Sequence, residues 1–233
     1  MLKAESLSQT YQERPVLRGF SYAFTEAGVY GIIGPNGAGK STLLRLITGM
    51  EKPFSGRVFY MGVELTRPAR EITCVWQRPY LFQTTVAENI AYGLRIRRWA
   101  RGDRHGRVAH LLKSFRLQSL QNQTASRLSV GEAARVALAR AIAPHPRFLV
   151  LDEPAANLDP GNTRLVEEVL AAIQSEEKMT IILVTHDMFQ AKRLAQTTLF
   201  LAGGELVESG PTERLFASPA NARTRGFISG ELI

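Results

Sequence analysis

The feature that most constrains this chain is the octapeptide Gly34-Pro35-Asn36-Gly37-Ala38-Gly39-Lys40-Ser41, which follows a short apolar run at residues 29–33. A glycine, four residues and then Gly-Lys-Ser is the pattern of a loop that binds phosphate groups. Its glycines let consecutive backbone N–H groups turn toward an anion without Cβ clashes. A helical pattern follows at residues 42–47, and the N-terminal end of a helix adds partial positive charge. In such a loop Lys40 reaches the β- and γ-phosphates and the Ser41 hydroxyl ligates Mg²⁺.

A second candidate site is the pair Asp152-Glu153, which ends the apolar run at residues 148–151. At the end of a strand, Asp152 can hold Mg²⁺ through its water shell. Because side chains alternate along a strand, Glu153 is expected to point elsewhere, where it can polarise an attacking water. Alone, the pair could be solvated charge at a strand end. With the phosphate loop, it predicts a site for phosphoryl transfer to water.

Alternating strand and helix patterns predict an α/β fold. Apolar runs of strand length occur at residues 29–33, 72–76, 148–151, 180–184 and 198–201. Helical patterns separate several of them, which favours parallel strands between helices. Gly203-Gly204 is typical of a hairpin turn.

The segment from about residue 83 to 143 differs, because it has no convincing strand pattern. Apolar residues recur there at helical spacing, at Val108, Leu111, Leu112 and Phe115. We therefore expect a single domain, residues 1–233, with an α/β core at 1–82 and 144–233 and an inserted helical lobe at 83–143.

The net charge of +8 is concentrated in one segment. Between residues 94 and 116 only Asp103 opposes eight basic residues: Arg95, Arg97, Arg98, Arg101, Arg104, Arg107, Lys113 and Arg116. Such a run can be a solvated helical face, a surface near anionic lipid headgroups, or a surface that attracts nucleic acid. Charge alone does not distinguish these.

The remaining composition is that of a soluble globular protein, with 45% apolar and 21% charged residues, which excludes a disordered chain. The single Cys74 excludes an internal disulfide, and its apolar strand predicts a small core residue. The sequence shows neither a secretory signal nor a spanning segment. We expect a soluble protein in the cytoplasm.

Further short motifs accompany the phosphate loop in a definite order. Gln77 follows the strand at residues 72–76, and Leu128-Ser129-Val130-Gly131-Glu132 precedes an Ala-rich helix at residues 133–143 that Pro144 ends. Asn157-Leu158-Asp159 follows the acidic pair, and His186 follows the strand at residues 180–184. This order resembles the ATP-binding cassette (ABC) ATPases over nearly the whole chain. In the resemblance these are the Q-loop, signature peptide, D-loop and switch histidine, and Tyr11 lies where family members stack an aromatic ring on adenine.

The resemblance implies a mostly parallel core sheet, an antiparallel β subdomain and an inserted helical subdomain. Two cassettes are expected to pair head-to-tail with ATP between them, so that nucleotide state controls their contact. It implies catalytic residues Glu153, His186 and Gln77, and Mg²⁺ ligands Ser41, Gln77 and Asp152. It implies nucleotide contacts at Tyr11, Gly34, Pro35, Asn36, Gly37, Ala38, Gly39, Lys40, Ser41, Thr42, Ser129, Gly131 and Asp159. In isolation, Gln77 could be an ordinary polar residue, His186 a structural histidine, and Tyr11 a packing residue against Val16.

The signature peptide departs from the family pattern, Leu-Ser-Gly-Gly-Gln, at Val130 and Glu132. A β-branched Val130 restricts the backbone where glycine is usual. Glu132 adds negative charge near a triphosphate, although an acidic residue at a helix N-terminus is locally favourable. Ala133 and Ala134 also replace an expected polar pair. We expect these departures to affect the rate of ATP hydrolysis rather than its existence.

One cassette without a spanning segment resembles the detached ATPase subunit of an importer. Its expected partners are a second ATPase subunit, membrane permease subunits and a periplasmic or extracellular solute-binding protein, at the cytoplasmic face of the membrane. Residues 77–94 and the tail at 224–232 are similar to oxyanion importers, especially for tungstate and also for molybdate or phosphate. One alternative is a soluble ABC ATPase acting on nucleic acid or the ribosome. A phosphate-loop kinase would leave the signature, D-loop and switch histidine without roles.

Overall fold

The computed structural model describes residues 1–25, 27–78 and 80–231. Pro79 and Leu232, which belong to the two stretches that resemble oxyanion importers, lie outside the described residues. The strands are β1 (Leu2–Tyr11), β2 (Arg14–Phe24), β3 (Gly28–Ile33), β4 (Ser55–Tyr60), β5 (Val63–Glu64), β6 (Ile72–Val75), β7 (Phe148–Asp152), β8 (Thr180–Val184), β9 (Thr197–Ala202) and β10 (Glu205–Pro211). The helices are α1 (Lys40–Ile47), α2 (Val86–Ile96), α3 (Arg101–Ser114), α4 (Val130–Ile142), α5 (Pro160–Glu177), α6 (Met188–Leu194), α7 (Thr212–Ala217) and α8 (Ala222–Ile228).

The chain divides into two compact units, one formed by residues 1–72 with 180–233 and the other by residues 73–179. The first unit contains an antiparallel sheet in the order β2-β1-β4-β5 and strands in the order β10-β9-β3-β8. β3 runs parallel to both β8 and β9, and β9 pairs antiparallel with β10. Both β3 and β8 are almost entirely buried, as expected for parallel strands covered on two faces.

The second unit is mainly helical, with β7 beside β6. Thr85 caps α2 by accepting a hydrogen bond from the Glu88 N–H. The fully buried Asn89 side chain bonds the backbone N–H and carbonyl of Phe82, so it fixes the segment that leads into α2. Short 3₁₀ turns at Gln118–Leu120 and Ala125–Arg127 connect α3 to α4.

The predicted alternation of strands and helices is confirmed in the described residues. Each predicted strand is present, and Gly203-Gly204 forms the turn of the β9–β10 hairpin. The apolar stripe of α3 and the following residue is buried as predicted: Val108, Leu111, Leu112 and Phe115. The subdomain boundary at residues 83–143 stays a prediction.

Two details of the sequence interpretation need correction. Helix α4 begins at Val130 rather than at residue 133, because Ser129 caps it. Cys74 lies in β6 but is half-buried rather than a core residue.

The Arg-rich segment is partly structural rather than uniformly solvated. Arg97 donates to the Pro144 carbonyl at 2.7 Å. Arg107 donates to the carbonyls of Ile142 and Ala143, and pairs with Glu177 at 2.6 Å. Other basic side chains of the segment are exposed: Arg95, Arg98, Arg101, Lys113 and Arg116. Among the described residues, no helix combines the length and the hydropathy needed to cross a membrane.

Candidate functional site

The phosphate loop lies between β3 and α1. At two of its glycines another segment of backbone lies so close that a side chain would not fit. Gly34 has a φ of 153°, and a Cβ there would lie 2.0 Å from the Leu201 carbonyl oxygen. Gly39 has a φ of 95°, and a Cβ there would lie 2.7 Å from the Val16 carbonyl oxygen. Larger residues at either position would displace backbone, so the glycine spacing read from the sequence fixes the loop shape.

Lys40 is folded back into this loop. Its side chain is buried, and Nζ donates to the carbonyls of Gly34 at 2.7 Å and Pro35 at 2.8 Å. Helix α1 starts at Lys40 with no acidic residue in its first turn. The loop therefore combines an ammonium group with the positive end of a helix, which suits a phosphate group.

Tyr11 is held near this loop by a polar network that the sequence did not reveal. Its hydroxyl donates to Glu51 Oε1 at 2.6 Å, while Arg45 Nε bonds Glu51 Oε2 at 3.1 Å. Arg45 also donates to the hydroxyl of Thr42 at 3.2 Å. Burial raises the pKa of Glu51, but hydrogen bonds from Tyr11, Gln9 and Arg45 outweigh it and leave that pKa below its ordinary value. Glu51 and Arg45 thereby connect Tyr11 to the first turn of α1.

His186 follows β8, as the sequence predicts, and its side chain is exposed. The neighbouring residues fix this turn. The Asp187 N–H donates to the buried Thr185 hydroxyl at 3.0 Å, and the Asp187 carboxylate caps α6 through the N–H groups of Phe189 and Gln190.

In the second unit, Asp152 ends β7 and its side chain is 7% exposed. Glu153 has a φ of 49°, a left-handed conformation that costs a non-glycine residue free energy. The chain thus leaves the strand at Glu153, so this turn rather than strand alternation sets the direction of its side chain. Glu153 Oε2 accepts a hydrogen bond from Gln77 Nε2 at 3.0 Å.

Several predicted residues of this unit line one cleft of about 290 Å³. Gln77 and Glu153 contribute the polar groups described above, and Ser129 and Val130 come from the signature peptide. Asn157 of the D-loop also lines the cleft, whereas Asp159 is not among its lining residues. The fold therefore gathers residues of four sequence motifs, the Q-loop, the acidic pair, the signature peptide and the D-loop, around one opening within residues 73–179.

The signature peptide forms a complete capping box at the start of α4. Glu132 Oε2 accepts from the Ser129 N–H at 2.8 Å and from the Ser129 hydroxyl at 2.9 Å. The Ser129 hydroxyl in turn accepts from the Glu132 N–H at 3.3 Å. These hydrogen bonds from the Ser129 N–H and hydroxyl hold the pKa of Glu132 below its ordinary value, although burial opposes them.

Asp159 caps α5 and connects the D-loop to the signature peptide through Asn162, which the sequence analysis did not select. The Asp159 carboxylate accepts from both the backbone N–H and the side-chain amide of Asn162. These two hydrogen bonds lower the pKa of Asp159. A Cβ at Gly131 would lie 2.8 Å from Asn162 Nδ2, so a larger residue at position 131 would require the Asn162 amide to shift.

The predicted site residues are divided between the two compact units. The phosphate loop, Tyr11 and His186 belong to the unit of residues 1–72 and 180–233. Gln77, Ser129, Gly131, Asp152, Glu153 and Asp159 belong to the unit of residues 73–179.

Comparisons with known proteins give the family. The ABC transporter family profile matches residues 17–156, more than half of the chain. The chain is 40% identical over 249 residues to a phosphate import ATP-binding protein of Natronomonas pharaonis, covering all of this chain and 87% of that protein. It is 39% identical over 208 residues to the tungstate uptake system ATP-binding protein TupC of Peptoclostridium acidaminophilum, covering 89% of this chain and 97% of that protein.

A solved structure shares the fold. It is the ATP-binding cassette MJ0796, a dimer in a post-hydrolysis state bound to ADP and phosphate. The TM-score is 0.83 at 26% identity, over 91% of this chain and 99% of that one. This match confirms the predicted α/β fold of ABC ATPases, and none of the three matches supports a nucleic-acid function. The chain therefore belongs to the ABC transporter family, as an ATP-binding subunit of the import type that hydrolyses ATP to drive transport.

Proposed function

We propose that two copies of this chain close on ATP and drive a membrane permease that imports an oxyanion, with tungstate as the leading cargo. The cargo class rests on one observation: relatives 39% and 40% identical, over 89% or more of this chain, are named for tungstate and phosphate uptake. The pairing of two copies is supported by the dimeric ABC cassette that shares the fold. The proposal places the subunit at the cytoplasmic face of the membrane, beside a permease that receives cargo from a solute-binding protein.

In this proposal the phosphate loop, residues 34–42, binds the triphosphate. Lys40 exchanges its two carbonyl partners in the loop for phosphate oxygens, a replacement that removes no hydrogen bond from the buried ammonium. Tyr11 stacks on adenine, since its hydroxyl is held by Glu51 while its side chain is 37% exposed. Ser129, Gly131 and Asp159 contact the nucleotide held by the partner copy.

Mg²⁺ fits the chemistry of the Gln77 amide oxygen and the Asp152 carboxylate, which belong to the unit of residues 73–179, and of the Ser41 hydroxyl in the phosphate loop. These are hard oxygen donors, and Mg²⁺ is commonly bound by one or two protein groups together with substrate phosphates. Gln77 Nε2 already donates to Glu153, so the amide oxygen is the atom of Gln77 that suits a cation. When bound, Mg²⁺ would neutralise charge on the β- and γ-phosphates.

Glu153 is the proposed general base. Its bond from Gln77 fixes one carboxylate oxygen, and the side chain lines the open cleft where water can enter. The carboxylate orients the attacking water and accepts its proton as the γ-phosphoryl group is transferred. In this proposal His186, which belongs to the same unit as the phosphate loop, contacts the γ-phosphate.

The cargo is tested by isolating the transporter from native membranes. A tagged chain with Glu153→Gln, loaded with ATP, should retain its permease, and the permease should identify the companion receptor. The purified receptor should bind tungstate more tightly than phosphate in equilibrium titrations. If the receptor binds phosphate more tightly, phosphate would replace tungstate as the proposed cargo, and the cargo would still be an oxyanion. If no permease is recovered with the tagged chain, the importer proposal would be overturned.

In contrast to the expectation from the sequence, the departure from the family pattern at Val130 is predicted to have almost no effect on the rate of ATP hydrolysis. Val130 is the first residue of α4, has no positive φ and is 64% exposed, so the structure shows no strain that glycine would relieve. We expect Val130→Gly to leave ATP turnover within about twofold and to lower the free energy of unfolding by less than about 1 kcal/mol. Steady-state phosphate release and urea unfolding check this. A large gain in turnover would show that Val130 restricts the reaction.

A further inference from the structure

The N-terminal end of α4, which the signature peptide forms and which we call the signature end, has its hydrogen-bond donors at Ser129 already bonded to Glu132. A serine hydroxyl has a single proton to donate, and at Ser129 that proton is given to Glu132 Oε2 at 2.9 Å. The same oxygen accepts the Ser129 N–H at 2.8 Å. Both donors of Ser129 therefore have a partner within the chain, although the residue itself is exposed.

The occupying group is also charged. The hydrogen bonds from Ser129 lower the pKa of Glu132, so the side chain is a carboxylate at neutral pH. It lies in the first turn of α4, where the partial positive charge of a helix resides. A full negative charge at this place cancels the attraction that the end of α4 would otherwise exert on a phosphate group.

We propose that Glu132 is a positioning residue that withholds the signature end of α4 from phosphate, by occupying the Ser129 donors and by countering the positive end of the helix. This inference rests on the proposed function, in which that end contacts the ATP held by a partner copy. Closure of two copies on ATP must then displace the Ser129 hydroxyl from Glu132 and bring a carboxylate near a triphosphate. The consequence is a dimer that forms only at higher protein concentration than an uncharged side chain would require.

Replacing Glu132 by glutamine distinguishes the proposed effect of its charge on phosphate binding from its role in capping α4. Its amide oxygen can accept the Ser129 N–H in the same geometry, so the capping box and helix α4 persist. Its side chain has no charge, so it holds the Ser129 donors more weakly and the attraction between the helix end and phosphate is restored. A purely structural Glu132 would make the Glu132→Gln variant equivalent to the parent in ATP binding and dimerisation.

The experiment compares Glu153→Gln with Glu132→Gln/Glu153→Gln, because we expect the first substitution to block hydrolysis and to preserve an ATP-bound dimer. We expect the second variant to reach half-dimerisation with Mg-ATP at a protein concentration about tenfold lower. That factor corresponds to removing one unit charge about 6 Å from another at each of the two nucleotide sites, at an effective dielectric constant of about 80. Analytical ultracentrifugation at low salt measures it, and the factor should shrink at 0.5 M salt, where the Debye length is only about 4–5 Å.

Glu88→Gln is the matched control, because Glu88 is also a first-turn glutamate of a capped helix in the same unit. It should leave dimerisation unchanged. With Glu153 intact, Glu132→Gln should lower the KM for ATP about threefold or more while its melting temperature stays within about 2 °C of the parent.

Equal dimerisation of the two variants, beside a parent that does dimerise with ATP, would overturn this inference and leave the proposed function standing. A parent that never dimerises with ATP would overturn both. An equal gain from the Glu88→Gln control would also overturn the inference, because the effect would then be one of net charge.

Discussion

Replacing Glu153 by Gln should reduce ATP turnover at least a hundredfold while ATP still binds. A positioned general base contributes about 10²–10⁴ to a rate, and an amide cannot accept the proton of the attacking water. The exchange preserves the local structure, because the amide oxygen of the new side chain can still accept the bond that Gln77 donates at 3.0 Å. The unreacted nucleotide should therefore hold two copies together. Single-turnover hydrolysis measures the rate, and size-exclusion chromatography with Mg-ATP measures the dimer.

Glu176→Gln is a suitable control, because Glu176 is an exposed residue near the end of α5 and outside the cleft. It should turn over ATP at the parental rate. Full turnover by Glu153→Gln would remove Glu153 as the base. Loss of ATP binding in that variant would mean that the carboxylate holds the nucleotide or its metal rather than the attacking water.

The local features of the fold and site could be predicted from the sequence because each follows from nearby residues. Gly34 and Gly39 stand where a Cβ would collide with backbone, and Lys40 follows them at fixed spacing. The spacing Ser129-x-x-Glu132 is itself a capping-box signature. This spacing alone therefore predicts the bond between Glu132 and Ser129 that the structure shows.

Features that depend on distant residues could not be predicted in this way. The network around Tyr11 depends on Glu51, 40 positions away, and no periodicity marks that residue. Gly131 faces Asn162, which lies beyond the D-loop, and this contact is visible only in the folded chain. Composition also cannot show that Arg107, within the basic run, meets a carboxylate on α5.

That buried pair gives the largest expected effect on stability. The Arg107 and Glu177 side chains are 9% and 13% exposed, with 2.6 Å between Nη2 and Oε1. Glu177→Ala would leave the guanidinium buried and uncompensated, although the carbonyls of Ile142 and Ala143 would remain as partners. Removing one partner of a buried ion pair costs about 3–5 kcal/mol, and the retained carbonyls favour the lower end. Urea unfolding of the full chain measures this loss.

Tryptophan fluorescence is an informative probe, because Trp99 stacks on His145 and His145 Nδ1 lies 2.9 Å from Glu177 Oε2. Glu176→Ala, one residue away and exposed, should change the free energy of unfolding by less than about 0.5 kcal/mol. Arg107→Leu/Glu177→Leu should recover much of the loss, because an apolar pair leaves no charge to desolvate. A cost below about 1 kcal/mol for Glu177→Ala would show that the carbonyls alone satisfy Arg107. The carboxylate would then add little to the packing of α3 against the end of α5.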